Sequence, residues 1–177
     1  MDVKEGLYRP NVGVALFNAA GLVFAGRSFS AGPEIILPGF EWQMPQGGID
    51  PGEDIVAAAK RELAEETAIT SVSLLSVTEE WWRYDFPPYD GPPHKLSGFR
   101  GQEQRWVALR FEGEDEEVDV LDPGSAEQAE FTAWDWFPLA ELPELVTPFK
   151  RETYRKVAAA FAPFAAVSRY PVRLKPA

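Results

Sequence analysis

An α/β fold, with a mixed sheet held between helical layers, is what this sequence predicts. Three observations carry that reading. Short apolar runs of strand character alternate along the chain with two longer segments of helical periodicity. The composition is globular, 45% hydrophobic and 13% aromatic over 177 residues, enough for a sizeable core in one domain spanning 1–177. No cysteine is present, so neither a disulfide framework nor a thiolate metal site is open to it.

Taken in order, residues 1–9 form a short polar lead-in. Asn11 to Phe17 (NVGVALF) is a compact apolar run, expected as a buried strand. Asn18-Ala19-Ala20-Gly21 is a turn signal, and Leu22 to Arg27 reads as the partner strand. Residues 28–40 carry Gly and Pro and read as a loop, and Trp42 to Pro45 as a short extended segment. A helix is predicted from Glu53 to Glu66, and strand from Val72 to Phe86. Residues 87–101, rich in Pro and Gly, read as a surface loop of a length often tied to function. Gln102 to Phe111 reads as a strand with Trp106, Ala108 and Phe111 as core residues, and Glu130 to Phe137 as another. Thr147 to Ala162 closes the chain as a helix whose apolar stripe is Phe149, Tyr154, Val157 and Phe161. No internal repeat and no second core is apparent.

The net charge of −11 argues against a protein that grips long nucleic acid by its phosphates, because that affinity comes from Lys and Arg. Recognition of one phosphorylated end through bound metal and a few local cations stays open. Part of the acidity is confined to Glu112–Asp122 (EGEDEEVDVLD), read as a solvated loop or strand tip. Met1 leads directly into Asp2, Lys4 and Glu5, with no basic region followed by an apolar run, so no signal peptide is expected. No apolar run is long enough to span a bilayer, and a cytoplasmic protein is expected.

The chemistry concentrates between Gly47 and Ile69 (GGIDPGEDIVAAAKRELAEETAI). On a helix Glu62, Glu65 and Glu66 fall at i, i+3 and i+4, so three carboxylates share one face. Like charges at that spacing destabilise a helix unless a cation sits on them, and a hard divalent ion such as magnesium prefers carboxylate oxygen. Ile55, Ala58, Ala59, Leu63 and Ile69 supply an apolar face for packing on the sheet. Asp50, Glu53 and Asp54 place negative charge at the helix start, where the dipole favours it. Gly47, Gly48 and Gly52 let backbone approach a ligand closely. An exposed acidic helix alone would leave the glycine loop and the embedded Arg61 unexplained.

This stretch resembles the Nudix box, G-x5-E-x7-R-E-U-x-E-E-x-G-U, where U is bulky and aliphatic. Gly47, Glu53, Arg61, Glu62, Leu63, Glu65, Glu66 and Ile69 fall on its positions, and Ala68 replaces its late glycine. If that position needs a left-handed turn, alanine costs roughly 1 kcal/mol there. Tyr8-Arg9-Pro10-Asn11-Val12-Gly13, Trp42–Gly48, Gly101–Trp106 and Pro148–Arg151 extend the likeness over most of the chain. Together they are similar to the subfamily of bacterial RNA pyrophosphohydrolases and dinucleoside tetraphosphate hydrolases.

The resemblance implies a Nudix α/β/α sandwich and metal-dependent hydrolysis of a phosphoanhydride, with Mg2+ expected and Mn2+ an alternative. Glu62, Glu65 and Glu66 are the expected metal ligands. The resemblance adds the carbonyl of Gly47 and, from a later strand, Glu130. Glu66, or the Glu62 end of the cluster, is the expected general base. Arg61 pairs with Glu53 to hold the loop against the helix. Arg9, Lys150 and Arg27 are candidate phosphate contacts, and each also reads as an ordinary surface cation. Gln104 matches a family glutamine near the reacting phosphates. Tyr84 and Phe149 are candidates either for stacking on a base or for packing. His94, the only histidine, reads as exposed.

The resemblance implies a nucleotide polyphosphate or an RNA 5′ end as substrate, and no protein partner is inferable from the sequence. RNA-processing members often carry an Arg-Arg pair where this chain has Arg27-Ser28, and Trp82–Pro88 is nearer the dinucleotide hydrolases. Removal of pyrophosphate from triphosphorylated RNA is the leading expectation. Cleavage of diadenosine tetraphosphate to ATP and AMP is the alternative. A non-catalytic nucleotide sensor would be expected to lose metal carboxylates, which are intact here.

Overall fold

In the computed structural model, which describes residues 7–29, 32–125 and 129–166, the chain forms β1 (Tyr8–Phe17), β2 (Val23–Ser28), β3 (Trp42–Gln43), β4 (Gln46–Gly48), α1 (Ile55–Thr67), β5 (Val72–Val77), β6 (Trp82–Asp85), β7 (Gly101–Phe111), β8 (Phe131–Phe137), α2 (Leu142–Leu145) and α3 (Arg151–Ala160). The strands make one sheet with the central order β3-β2-β1-β7-β5; β4 pairs with β1, β6 with β7 and β8 with β2. β1 and β7 are parallel, from Tyr8 opposite Gly101 to Phe17 opposite Arg110, and the other pairings are antiparallel. The sheet is therefore mixed, as expected.

Alternation along the strands divides the apolar residues between two faces. Val12, Val14 and Leu16 of β1 and Val107 and Leu109 of β7 pack with Ala58, Ala59 and Leu63 of α1. Ala15 and Phe17, with Trp106 and Ala108, turn the other way and meet Tyr154, Val157 and Phe161 from the C-terminal helical segment. Where the sequence suggests a single core, the structure has two clusters, because a sheet covered on both faces buries one per face. Gly13 is needed where it lies: a Cβ there would overlap the Trp106 ring.

Several boundaries move. β1 takes in Tyr8 and Arg9, which the sequence places in the lead-in; residues 1–6 of that segment lie outside the described residues. The single strand expected over 72–86 is two, β5 and β6, interrupted at 78–81. The closing helix is a 3-10 turn at Pro148–Lys150 followed by α3. The acidic run is more than a solvated tip. Val120 is buried, and Glu117 accepts hydrogen bonds from the backbone of Thr70 and Ser71 at 3.1 Å each, tying the run to the end of α1.

Candidate active site

Helix α1 is set by its caps. Asp54 stands before it in extended conformation and accepts a hydrogen bond from the Ala57 backbone at 3.0 Å, a side-chain N-cap. At the other end Ala68 turns into the left-handed region (φ 66°) and its N–H closes on the Ala64 carbonyl. The turn that the family fills with glycine is therefore made here, by alanine.

With Ala58, Ala59 and Leu63 against the sheet, the acidic face of α1 looks toward β4 and a cavity of about 1030 Å3. Arg9, Gly47, Glu62, Glu65, Glu66 and Glu130 all line it. Arg61 organises this end. Its Nε and Nη2 donate to Glu53 at 2.8 Å each, Nη2 also donates to the Gly48 carbonyl at 2.9 Å, and Nη1 donates to Glu62 at 2.8 Å and Glu65 at 3.4 Å. The expected Arg61–Glu53 clasp is present and holds the glycine loop on the helix. The loop sits so close that a Cβ at Gly47 would overlap the Glu62 carboxylate, and one at Gly48 would overlap the Arg9 guanidinium.

The carboxylates here differ in their electrostatics. Hydrogen bonds from Arg61 hold Glu53 down at about 2. Burial pushes Glu62 up to about 7 against the pull of Arg61. Burial also drives Glu66 well above the ordinary carboxylate range, helped by the charges of Glu130 and Glu62. Glu66 Oε2 is buried with no hydrogen-bond partner. Among the described residues no three acidic or histidine side chains are already gathered around one metal position, since Arg61 draws Glu62 and Glu65 to itself. The donor set nonetheless suits a hard cation: carboxylate oxygens, one orphaned and buried, on a face with excess negative charge.

The rest of the cavity rests on a polar floor that the sequence does not disclose. Glu34, from the loop after β2, is its centre. It accepts from the Tyr84 hydroxyl at 2.7 Å, Gln102 Nε2 at 2.7 Å, Lys150 Nζ at 3.2 Å and Gln46 Nε2 at 3.2 Å. Burial alone would raise its pKa, but the charge of Lys150 and these hydrogen bonds hold it below the ordinary range. Asn11 and Gln104 continue the network: Asn11 donates to Gln102 at 2.8 Å, and Gln104 donates to Asn11 at 2.8 Å and to Gln46 at 2.7 Å.

The structure sorts the candidate substrate contacts. Arg9 is at the cavity wall, with Nη1 3.3 Å from Gln102 Oε1. Lys150 is no surface cation: it is 1% exposed, held between Glu34 and Gln43, and does not line the cavity. Arg27 points away, its guanidinium 3.9 Å from Glu41. Gln104 is buried one layer below the wall. Tyr84 is 6% exposed, with its ring against Phe86 and Phe149, so packing rather than an open stacking face describes Tyr84; Phe149 is half-buried and does not line the cavity. His94 is half-buried rather than exposed; it lines the cavity and its ring lies against Gly32. Phe29, half-exposed at the mouth, has no signal in the sequence to mark it.

The chain is similar to known proteins. The chain is 48% identical over 173 residues to an RNA pyrophosphohydrolase of Brucella ovis, covering 94% of each chain. It is 47% identical over 168 residues to the protein of that name in Brucella anthropi, covering 91% and 93%. Among solved structures, the Escherichia coli dihydroneopterin triphosphate pyrophosphohydrolase aligns with a TM-score of 0.59 at 16% identity, over 87% of this chain and 99% of that one. A Caenorhabditis elegans Ap4A hydrolase complex aligns with a TM-score of 0.54 at 19% identity, over 86% and 98%. At those identities the two structures speak to the fold. The NUDIX domain itself matches residues 7–157, and with the glycine loop, the Arg61 clasp and the carboxylate face all in their places the chain belongs to the Nudix hydrolase family.

Proposed function

We propose that this chain hydrolyses the 5′ end of triphosphorylated RNA, releasing pyrophosphate and leaving a 5′-monophosphate, with Mg2+ (or Mn2+) as its divalent cation. The observation that carries the reading is one cavity lined by both the acidic face of α1 and Arg9. Near-full-length likeness to proteins named RNA pyrophosphohydrolase supports the substrate.

Glu62, Glu65, Glu66, Glu130 and the Gly47 carbonyl would hold the cation, which supplies charge neutralisation on the phosphate oxygens and lowers the pKa of a bound water. The chain's own residues do the rest. Arg9 meets phosphate charge at the wall. Arg61 and Glu53 act as positioning residues, fixing the Gly47 loop relative to Glu62. Glu66 or Glu62 takes the proton from the attacking water. The new P–O bond forms on the phosphorus that stays with RNA, the P–O–P bridge breaks, and pyrophosphate leaves with the bridging oxygen.

A second reading, diadenosine tetraphosphate cleaved to ATP and AMP, has one observation in its favour. The end of β2 sends no arginine into the cavity: Arg27 turns to Glu41, and Ser28 lines the cavity while accepting a hydrogen bond from Gln43 at 2.7 Å. Both substrates offered side by side with Mg2+ separate the readings. Pyrophosphate from RNA at the higher catalytic efficiency is expected. ATP and AMP with RNA nearly untouched would move the assignment, and turnover of neither would sink both.

A further inference from the structure

We propose that Glu34 is a specificity-determining residue: its carboxylate fills an anion cradle made by Lys150, Tyr84, Gln102 and Gln46, and so keeps the substrate's phosphates off the floor of the cavity. Four donors from four separate segments converge on this one side chain, at 2.7 to 3.2 Å. One of them is a lysine ammonium that is 1% exposed. A buried cation surrounded by neutral donors is a receptor for an anion, and here the chain supplies the anion itself. Glu34, Gln102 and Gln46 line the cavity, whereas Lys150 and Tyr84 lie behind them. A polyphosphate approaching the floor meets a carboxylate whose lone pairs are already used and whose charge repels it. Beside the floor it meets Arg9, whose Nη1 is 3.3 Å from Gln102 Oε1, and a carboxylate face on α1 that calls for a cation. The filled cradle therefore leaves the phosphates to Arg9 and α1, and the floor to the uncharged nucleoside.

The inference takes from the proposed function only that the substrate carries a polyphosphate. Its test needs no turnover of RNA, so the two fail separately. The probe is inorganic tripolyphosphate without divalent metal, titrated by calorimetry into the full chain and two variants. Glu34→Gln empties the cradle of charge while keeping Lys150. Affinity is expected to rise at least tenfold over the unchanged chain, and the melting temperature to climb with tripolyphosphate concentration. Glu34→Gln/Lys150→Met removes both charges and is expected to fold and to return to the affinity of the unchanged chain. A purely structural Glu34 would change stability without changing anion affinity. Should Glu34→Gln fold poorly by itself, tripolyphosphate in the refolding buffer is expected to restore it. The proposal is overturned if Glu34→Gln binds no more tightly than the unchanged chain, if the double variant binds as tightly as the single one, or if tripolyphosphate cannot rescue a poorly folded single variant.

Discussion

Two acidic centres lie in one cavity and are treated in opposite ways. At the floor, Glu34 is surrounded by donors and its ion pair with Lys150 is closed. At α1, Glu66 has an oxygen with no partner, and Glu62 is pushed up to about 7. The first arrangement is complete without help from outside the chain. The second is complete only when positive charge arrives. A protein that leaves one centre satisfied and the other wanting has separated the part that holds shape from the part that does work.

The sharpest way to break that contrast is Glu66→Gln. Charge stabilisation by a bound metal is worth several kcal/mol in the transition state, so losing one of the proposed ligands should cut kcat by about a thousandfold. The same change replaces a buried carboxyl that has one oxygen without a partner, so the metal-free melting temperature should hold or rise. Steady-state kinetics beside a melt would check both. Near-normal turnover would end the assignment of Glu66 to the metal cluster.

Lys150→Met is the mirror experiment. It leaves Glu34 buried beside neutral donors only, and breaking a buried pair from one side costs about 3–5 kcal/mol. Denaturant unfolding should show a loss of that order. A change within a few tenths of a kcal/mol would mean that the floor is not the closed unit described above.

Third in size is a pH effect at Glu53. Arg61 holds its carboxyl at about 2, below the ordinary 4.5. The folded state therefore prefers the ionised form. The stabilisation is fully present above the unfolded value near 4.5 and is lost as pH falls toward 2. Glu53→Gln should flatten that part of the stability–pH curve. At neutral pH it should lower activity less than Glu66→Gln does, through the position of the Gly47 loop.

The same contrast explains what is legible in the sequence. The α1 centre is local: Glu53, Arg61, Glu62, Glu65 and Glu66 lie within fourteen residues, and helical spacing alone puts Glu62, Glu65 and Glu66 on one face. The apolar run through Val12, Val14 and Leu16 likewise marks β1 by its residue types alone. The floor is assembled from far apart, with Glu34 and Lys150 separated by 116 residues and Glu34 and Gln102 by 68. Glu34 sits in a loop with no periodicity to mark it. Lys150 reads from the sequence as a phosphate contact or a surface cation because lysine is so rarely buried, and only its partner reverses that expectation. Tyr84 is no stacking platform for a related reason: β6 alone does not say which face the sheet will cover.

The smallest effect lies at the end of α1, and it tests how far the working centre depends on its scaffold. Ala68 is the sole non-glycine at positive φ among the described residues, at 66°. A left-handed L-residue costs roughly 1–2 kcal/mol, and glycine avoids that cost while losing more backbone entropy on folding. The net gain for Ala68→Gly should be about 1 kcal/mol or less, read as a small rise in melting temperature. The helix already carries its Asp54 cap and the Arg61 clasp, and the turn is already closed by the Ala68 N–H on Ala64. The carboxylates should therefore stay where they are, and kcat should not move. A gain in stability with unchanged kcat would show that the metal face is positioned by the clasp and the core. A change in kcat would show that it is positioned by the turn.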